Sequence, residues 1–170
     1  QLNMPVGVMC FQGLELHYDD IIKLISASPD TTLILDHFGF TKLTSTGDDA
    51  FQKLLSLAKY PNVYIKISAL FRLDDVSPYN KVRTQRFEPL IQTFGPTRLM
   101  YGSDFPFVLE QEPEKYGGML ALVSSWLDDY DPTAKAAVMG GTAEKVFGPW
   151  GSSTKGTATV TNTDVNKSVA

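Results

Sequence analysis

Two side chains in this sequence stand where chemistry could be done. His37 lies in Leu33-Ile34-Leu35-Asp36-His37-Phe38-Gly39, and Asp104 lies in Tyr101-Gly102-Ser103-Asp104-Phe105-Pro106. An imidazole and a carboxylate brought together suit hydrolysis. The carboxylate takes a proton from water, and the imidazole or a metal stabilises the charge developing on the attacked carbonyl. Each also has a plainer role. An imidazole can simply bond a backbone carbonyl, and an aspartate two residues before Pro106 can simply shape a turn. Lys66 and Ser68 follow in Asn62-Val63-Tyr64-Ile65-Lys66-Ile67-Ser68, where a lysine in an otherwise apolar strand requires a carboxylate or a solvated hollow. Arg72, just beyond, is a solvated loop charge or an anion clamp for a carboxylate substrate. The expected substrate contacts are therefore Arg72, Ser68 and Lys66. Asp36 is expected to turn outward and hold a neighbouring loop, and Ser103 to shape its turn. His17 reads as a surface residue, and Cys10 as a small buried hydrophobe.

The elements that must position these groups are four short buried strands, each followed by a helical pattern. The strands are Pro5–Met9, Thr31–Leu35, Asn62–Ser68 and Arg98–Tyr101. Asp19 is a plausible cap for a first helix carrying Ile21, Ile22, Leu24 and Ile25 on its apolar positions. A second helix starts near Asp48, and a third near Ser77-Pro78, with proline in its first turn. Beyond the fourth strand come a helix around Tyr116 to Leu127, another opened by Asp131-Pro132, and a last turn capped by Thr142. Strand ends recur about every 30 residues, the length of a βα unit. The alternation predicts an α/β fold, a parallel sheet with outer helices. In such folds functional residues gather at the carboxyl ends of the strands, where His37, Ser68 and Asp104 all fall. Within the third strand Val63, Ile65 and Ile67 share one face, and Tyr64, Lys66 and Ser68 the other.

Composition narrows the partners. With 15 Lys+Arg against 19 Asp+Glu the formal charge is −4, which argues against a nucleic-acid surface. Cys10, the single cysteine, rules out an intrachain disulfide framework. No apolar run approaches the roughly 20 residues of a membrane span. The expectation is a soluble, cytoplasmic protein acting on a small molecule, binding neither nucleic acid nor membrane. No Gly-rich phosphate loop follows any strand, which disfavours a nucleotide-binding doubly wound sheet. Residues 1–150 form one domain, and the Ser/Thr/Gly-rich 151–170 stretch reads as a disordered tail.

Four stretches in order, 33–39, 62–69, Gly95-Pro96-Thr97-Arg98-Leu99-Met100-Tyr101-Gly102-Ser103-Asp104-Phe105-Pro106 and Gly140-Gly141-Thr142-Ala143-Glu144-Lys145-Val146-Phe147, resemble the amidohydrolase-related family of the amidohydrolase superfamily. This is the branch of TIM-barrel metal-dependent hydrolases and lactonases. The resemblance runs from Pro5 to Trp150, and Gly-Ser-Asp-Phe-Pro is its most specific part. It implies that the four strands correspond to strands five to eight of a (β/α)₈ barrel, a C-terminal half barrel. It further implies that Asp104 activates water and can ligate a metal, and that His37 is a metal ligand or substrate-binding group. The family's His-x-His and strand-four elements are absent from this chain, and the strand-five end reads Val8-Met9-Cys10-Phe11-Gln12, without histidine. The expected cofactor is accordingly none, or a single divalent metal such as zinc. The implied function is water attack on a small lactone, amide or carboxylated ring. The alternative is a catalytically inactive half barrel acting through self-association or through pairing with a missing N-terminal half, since an open sheet leaves two unpaired edges.

Overall fold

The computed structural model describes residues 4–148, so the expected tail 151–170 lies outside the described residues. Its centre is a parallel sheet of four strands in sequential order: β1 (Val6–Val8), β2 (Leu33–Leu35), β3 (Val63–Ile67) and β4 (Leu99–Tyr101). The expected α/β architecture is present, with each strand trimmed at its ends. Register is continuous across the sheet: Val6 pairs Leu33, Leu33 pairs Val63, and Ile65 pairs Leu99. This lines Leu35, Val63, Ile65, Ile67 and Leu99 against the helices, all at 0 % exposure. Each such side chain contributes about 1.5–3 kcal/mol by leaving water, which makes the middle of the sheet its firmest part. The opposite face carries Gly7, Ile34, Tyr64, Lys66 and Met100, in register across the strands.

The helices are α1 (Tyr18–Ala27), α2 (Ser45–Ser56), α3 (Asn80–Val82), α4 (Glu88–Phe94), α5 (Val108–Gln111), α6 (Lys115–Ser125), α7 (Pro132–Ala136) and α8 (Thr142–Phe147). A wide π turn, Arg83–Phe87, joins α3 to α4. Three expected caps are not used. His17, not Asp19, occupies the cap position of α1, and Asp19 sits in the first turn, where its charge meets the helix dipole. The third helix begins at Asn80 rather than at Ser77-Pro78, because Asp75 Oδ2 accepts from the Lys81 and Val82 amides at 3.0 and 3.1 Å. Thr142 Oγ1 donates to the Pro96 carbonyl at 3.2 Å instead of capping α8. The other caps follow local chemistry. Thr44 Oγ1 accepts from Gly47 N at 3.1 Å to open α2, and Asp131 Oδ1 accepts from Thr133 N at 2.8 Å to open α7.

One buried cation fixes the loop after β2. Arg86 is 2 % exposed; it donates to the Thr41 carbonyl at 2.8 Å and to Asp48 Oδ1 at 2.6 Å, with its guanidinium 4.6 Å from the Phe51 ring centroid. It also donates to the Lys42 carbonyl. A guanidinium with this many acceptors offsets its own desolvation and holds the chain path just beyond His37. No described helix is long and apolar enough to cross a membrane.

Candidate active site

The three strand ends converge as the alternation requires. His37 follows β2, Ser68 follows β3, and Asp104 lies three residues past β4. His37 is 4 % exposed. Its Nδ1 lies 2.7 Å from Ser68 Oγ, and its Nε2 lies 3.5 Å from Asp104 Oδ1. Arg72 Nε sits 3.3 Å from the other oxygen, Asp104 Oδ2. The Arg72 guanidinium stands between two rings, 5.0 Å from the Phe71 centroid and 5.3 Å from that of Phe107. The imidazole also meets the Phe40 ring edge-on at 5.1 Å.

Burial pushes the His37 imidazole below the ordinary value of 6.5, against the pull of the Asp104 and Asp36 carboxylates, while Arg72 and Lys66 add to the lowering. His37 is therefore neutral at pH 7. A bare Nε2 lone pair aimed at a carboxylate would be repulsive, so the neutral ring carries its proton on Nε2 and Ser68 donates to Nδ1. The Ser68 hydroxyl can equally accept from a protonated Nδ1, so it supports either tautomer.

The structure gives Ser68, Lys66 and Asp36 partners inside the chain. Ser68 is 2 % exposed and bonded to His37, a contact that orients the imidazole. Lys66 Nζ forms an ion pair with Asp36 Oδ1 on the inner face of the sheet. Asp36 thus points inward at 8 % exposure instead of outward to a loop. Gly102 makes room for this lysine: a Cβ there would stand 3.1 Å from Lys66 Cδ. Cys10 is fully buried, and burial pushes its thiol up to about 11, which leaves it inert as a nucleophile. Ser103 Oγ accepts from Phe105 N at 3.2 Å and shapes its turn as expected.

An open cleft of about 530 Å³ adjoins the His37–Asp104 pair through Phe40 and Arg72. Lys42 and Asp74, 3.7 Å apart, line one part of it, and Phe11, Phe71 and Phe107 give it aromatic walls. Lys42, Phe11 and Phe107 were not singled out from sequence, since a lysine or phenylalanine in a loop carries no positional signal. Glu112 and Tyr79, buried behind the cleft, were missed for the same reason.

His37 and Asp104 are the groups that could hold a metal, and among the described residues His37 Nε2 is a buried nitrogen without a hydrogen-bond partner. A catalytic zinc takes three protein ligands. Among the described residues no group of three or more His, Cys, Asp or Glu side chains could hold one. The described residues alone do not fit a zinc site.

Comparison with known proteins bears on the fold and the family. The Amidohydrolase family model matches residues 2–148. An L-fucono-1,5-lactonase of Burkholderia ambifaria is 30% identical over 134 residues, covering 75% of this chain and 45% of the relative. Among solved structures, a zinc-bound amidohydrolase from Burkholderia multivorans superposes with a TM-score of 0.66 at 26% identity, over 79% of this chain and 50% of that one. A candidate 2-pyrone-4,6-dicarboxylic acid hydrolase from Pseudomonas putida gives 0.60 at 27% identity, over 77% and 49% of the two chains. The chain thus spans about half the length of the relatives it matches, whose fold is the TIM barrel. With all its described residues inside the matched range, this chain belongs to the amidohydrolase family.

Proposed function

We propose that this chain supplies the proton-transfer half of a lactonase-like hydrolytic site. Asp104 is the general base and His37 the electrophile. The observation that carries this reading is the 3.5 Å approach of His37 Nε2 to Asp104 Oδ1, with Arg72 on the second oxygen. Arg72 holds the second oxygen and turns the carboxylate toward the imidazole, which positions Asp104 to take a proton from water. His37, oriented by Ser68 through Nδ1, presents its Nε2–H beside Asp104, and an attacked carbonyl oxygen entering there would meet that donor as its negative charge grows. In a buried setting such a donor is worth more than in water.

The substrate we infer is a small ring ester or amide bearing a carboxylate. Arg72 and Lys42 give the cleft its cations and the phenylalanines its flat apolar walls. The lactonase named among the relatives supports the ring ester, and the dicarboxylic acid hydrolase supports the carboxylate. The correspondence to strands five to eight of a barrel belongs to the same proposal, as does a zinc ion completed by ligands from outside the described residues. Asp104→Asn tests the reading in a protein containing a full barrel. Hydrolysis of a lactone panel should fall by about 10²–10⁴-fold, the usual worth of a general base. Full activity in that variant would end the assignment.

A second reading rests on the sheet edges. Among the described residues β1 and β4 have a partner on one side only, and Val6, Met9 and Phe11 are exposed beside β1, as Phe105 and Phe107 are beyond β4. Unpaired edges flanked by apolar groups call for a covering partner. That partner is another half barrel, from the same protein or from a second copy. Sedimentation showing a stable monomer of this chain alone at high concentration would remove the need for one.

A further inference from the structure

Glu112 is 1 % exposed, in the turn between α5 and α6, and the hydrolytic chemistry does not use it. A carboxylate this deeply buried is costly unless donors reach it. The donor is the Tyr79 hydroxyl, 2.7 Å from Oε1 and 2.8 Å from Oε2, and the Phe71 backbone amide also favours its charged form. A second bond runs parallel to the first, with Ser77 Oγ donating to Glu114 Oε1. Both link the same two segments. One is the loop after β3, which carries Phe71, Arg72 and Asp74; the other is the region after β4, which carries Phe107, Glu110 and Gln111. These six residues line the cleft together with Phe11, Phe40 and Lys42. The Arg72–Asp104 contact spans the same gap.

We propose that Glu112 is a positioning residue: its bond to Tyr79 fixes the spacing of the cleft walls and holds Arg72 against Asp104, a role that rests on the cleft being the substrate site. The tie is placed for this. Tyr79 closes the far end of the β3 loop, so the bond from its hydroxyl to Glu112 ties that end to the region after β4. Tyr79 is itself 3 % exposed and adopts a left-handed backbone, φ 57°, which presents its ring to the interior. Around Glu112 the apolar Ile67, Leu70 and Met119 stand beside the polar Ser68, Tyr101 and Ser103, yet the side-chain hydrogen bond that reaches its carboxylate comes from Tyr79.

The test uses Glu112→Ala, Glu112→Gln and Tyr79→Phe in the chain as it stands, with amide hydrogen exchange resolved by residue and benzoate as the probe for the cleft. Loss of a hydrogen bond to a buried charge should speed exchange at Phe71 and across 72–79 and 105–111 by about tenfold in Glu112→Ala and Tyr79→Phe, with benzoate binding weakened by a similar factor. Leu35 and Ile65, in the sheet, should exchange as before. Glu112→Gln keeps an oxygen for Tyr79 and should stay within about threefold of the parent. Unchanged loop exchange in both Glu112→Ala and Tyr79→Phe overturns the proposal. Faster exchange at Leu35 and Ile65 as well overturns it too, since the residue would then be ordinary packing. Loosened loops in a parent that does not bind benzoate would support the tie and count instead against the carboxylate-binding cleft. If Glu112→Ala does not fold, Tyr79→Phe decides.

Discussion

Replacing Lys66 by methionine separates structure from chemistry at the inner face of the sheet. The substitution keeps the stem that runs past Gly102, whose position leaves only 3.1 Å between a notional Cβ and Lys66 Cδ. It removes the ammonium from Asp36, whose side chain is 12 % exposed against 31 % for Lys66. Breaking a fully buried ion pair costs about 3–5 kcal/mol, while exposed pairs are worth about 0–1 kcal/mol. Asp36 is close to the first limit and Lys66 lies between the two, so the expected loss is about 2–3 kcal/mol. For a domain of this size that corresponds to a fall in Tm of roughly 5–10 °C. Asp36→Asn in the same background should restore most of it, because the stranded charge is then gone. Urea titration of the parent, both single variants and the double variant gives the coupling energy directly. A loss under about 0.5 kcal/mol for Lys66→Met, or a double variant no more stable than Lys66→Met, would refute the pairing as a structural element. Lys66 would then be free for substrate, as its place on the strand first suggested.

Two further outcomes follow from the ionisable groups. Because burial holds His37 below 6.5, the unfolded chain binds the extra proton first as pH falls; this contribution to stability is present above 6.5, is lost as pH drops through the folded value, and then levels off. Glu112, pushed above 4.5 by burial, acts in the opposite sense, its share being full below 4.5 and lost as pH rises through its folded value, so the His37 slope should be cleanest in Glu112→Gln and absent when His37→Asn is added, as read by urea midpoints across pH 5–8. Metal analysis of the purified chain should find well under one zinc per molecule, since a catalytic zinc wants about three protein ligands and the described residues bring no such group together; one tightly held ion per chain would contradict this.

The strands were legible because continuous apolar runs such as Leu33-Ile34-Leu35 are what a sheet buried on both faces demands, and the recurrence of such runs set the parallel order. The pairing of His37 with Asp104 was legible from position alone, each standing just past a strand end. Roles were harder to read than places. Ser68 and Lys66 were assigned to substrate because the strand alternation gave their face but not their nearest neighbours, and each found its partner inside the chain, 31 residues away for Ser68 and on the adjacent strand for Lys66. Helix starts failed where a distant acceptor competed with the local one. Thr142 bonds Pro96, and Asp75 displaces Ser77 as the group that receives the first amides of α3. Arg86 and Glu112 had no local pattern to betray them, as their partners lie 45 and 33 residues away.

Backbone strain gives an independent reason to place function at this rim. His37, Phe38, Phe40, Ala69 and Asp104 all adopt left-handed conformations, with φ between 53° and 58°. For residues with a Cβ this region costs about 1–2 kcal/mol each, less for histidine and aspartate than for phenylalanine and alanine. Five such residues together approach the low end of a whole domain's net stability of about 5–15 kcal/mol. A glycine at 38, 40 or 69 would relieve part of that cost. The strained residues are also those that aim the chemistry: Phe38 and Phe40 turn the chain beneath His37, and Ala69 redirects it after Ser68 toward Arg72. The surrounding core, with Arg86 bonded to Thr41 and Lys42 and Glu112 bonded to Tyr79, supplies the restraint that keeps these conformations populated. Asp74, Tyr79 and Lys115 share this conformation, so five of the eight such residues fall at the strand ends where the imidazole, the carboxylate and the guanidinium meet, and strain concentrated there is what the proposed preorganised site would use.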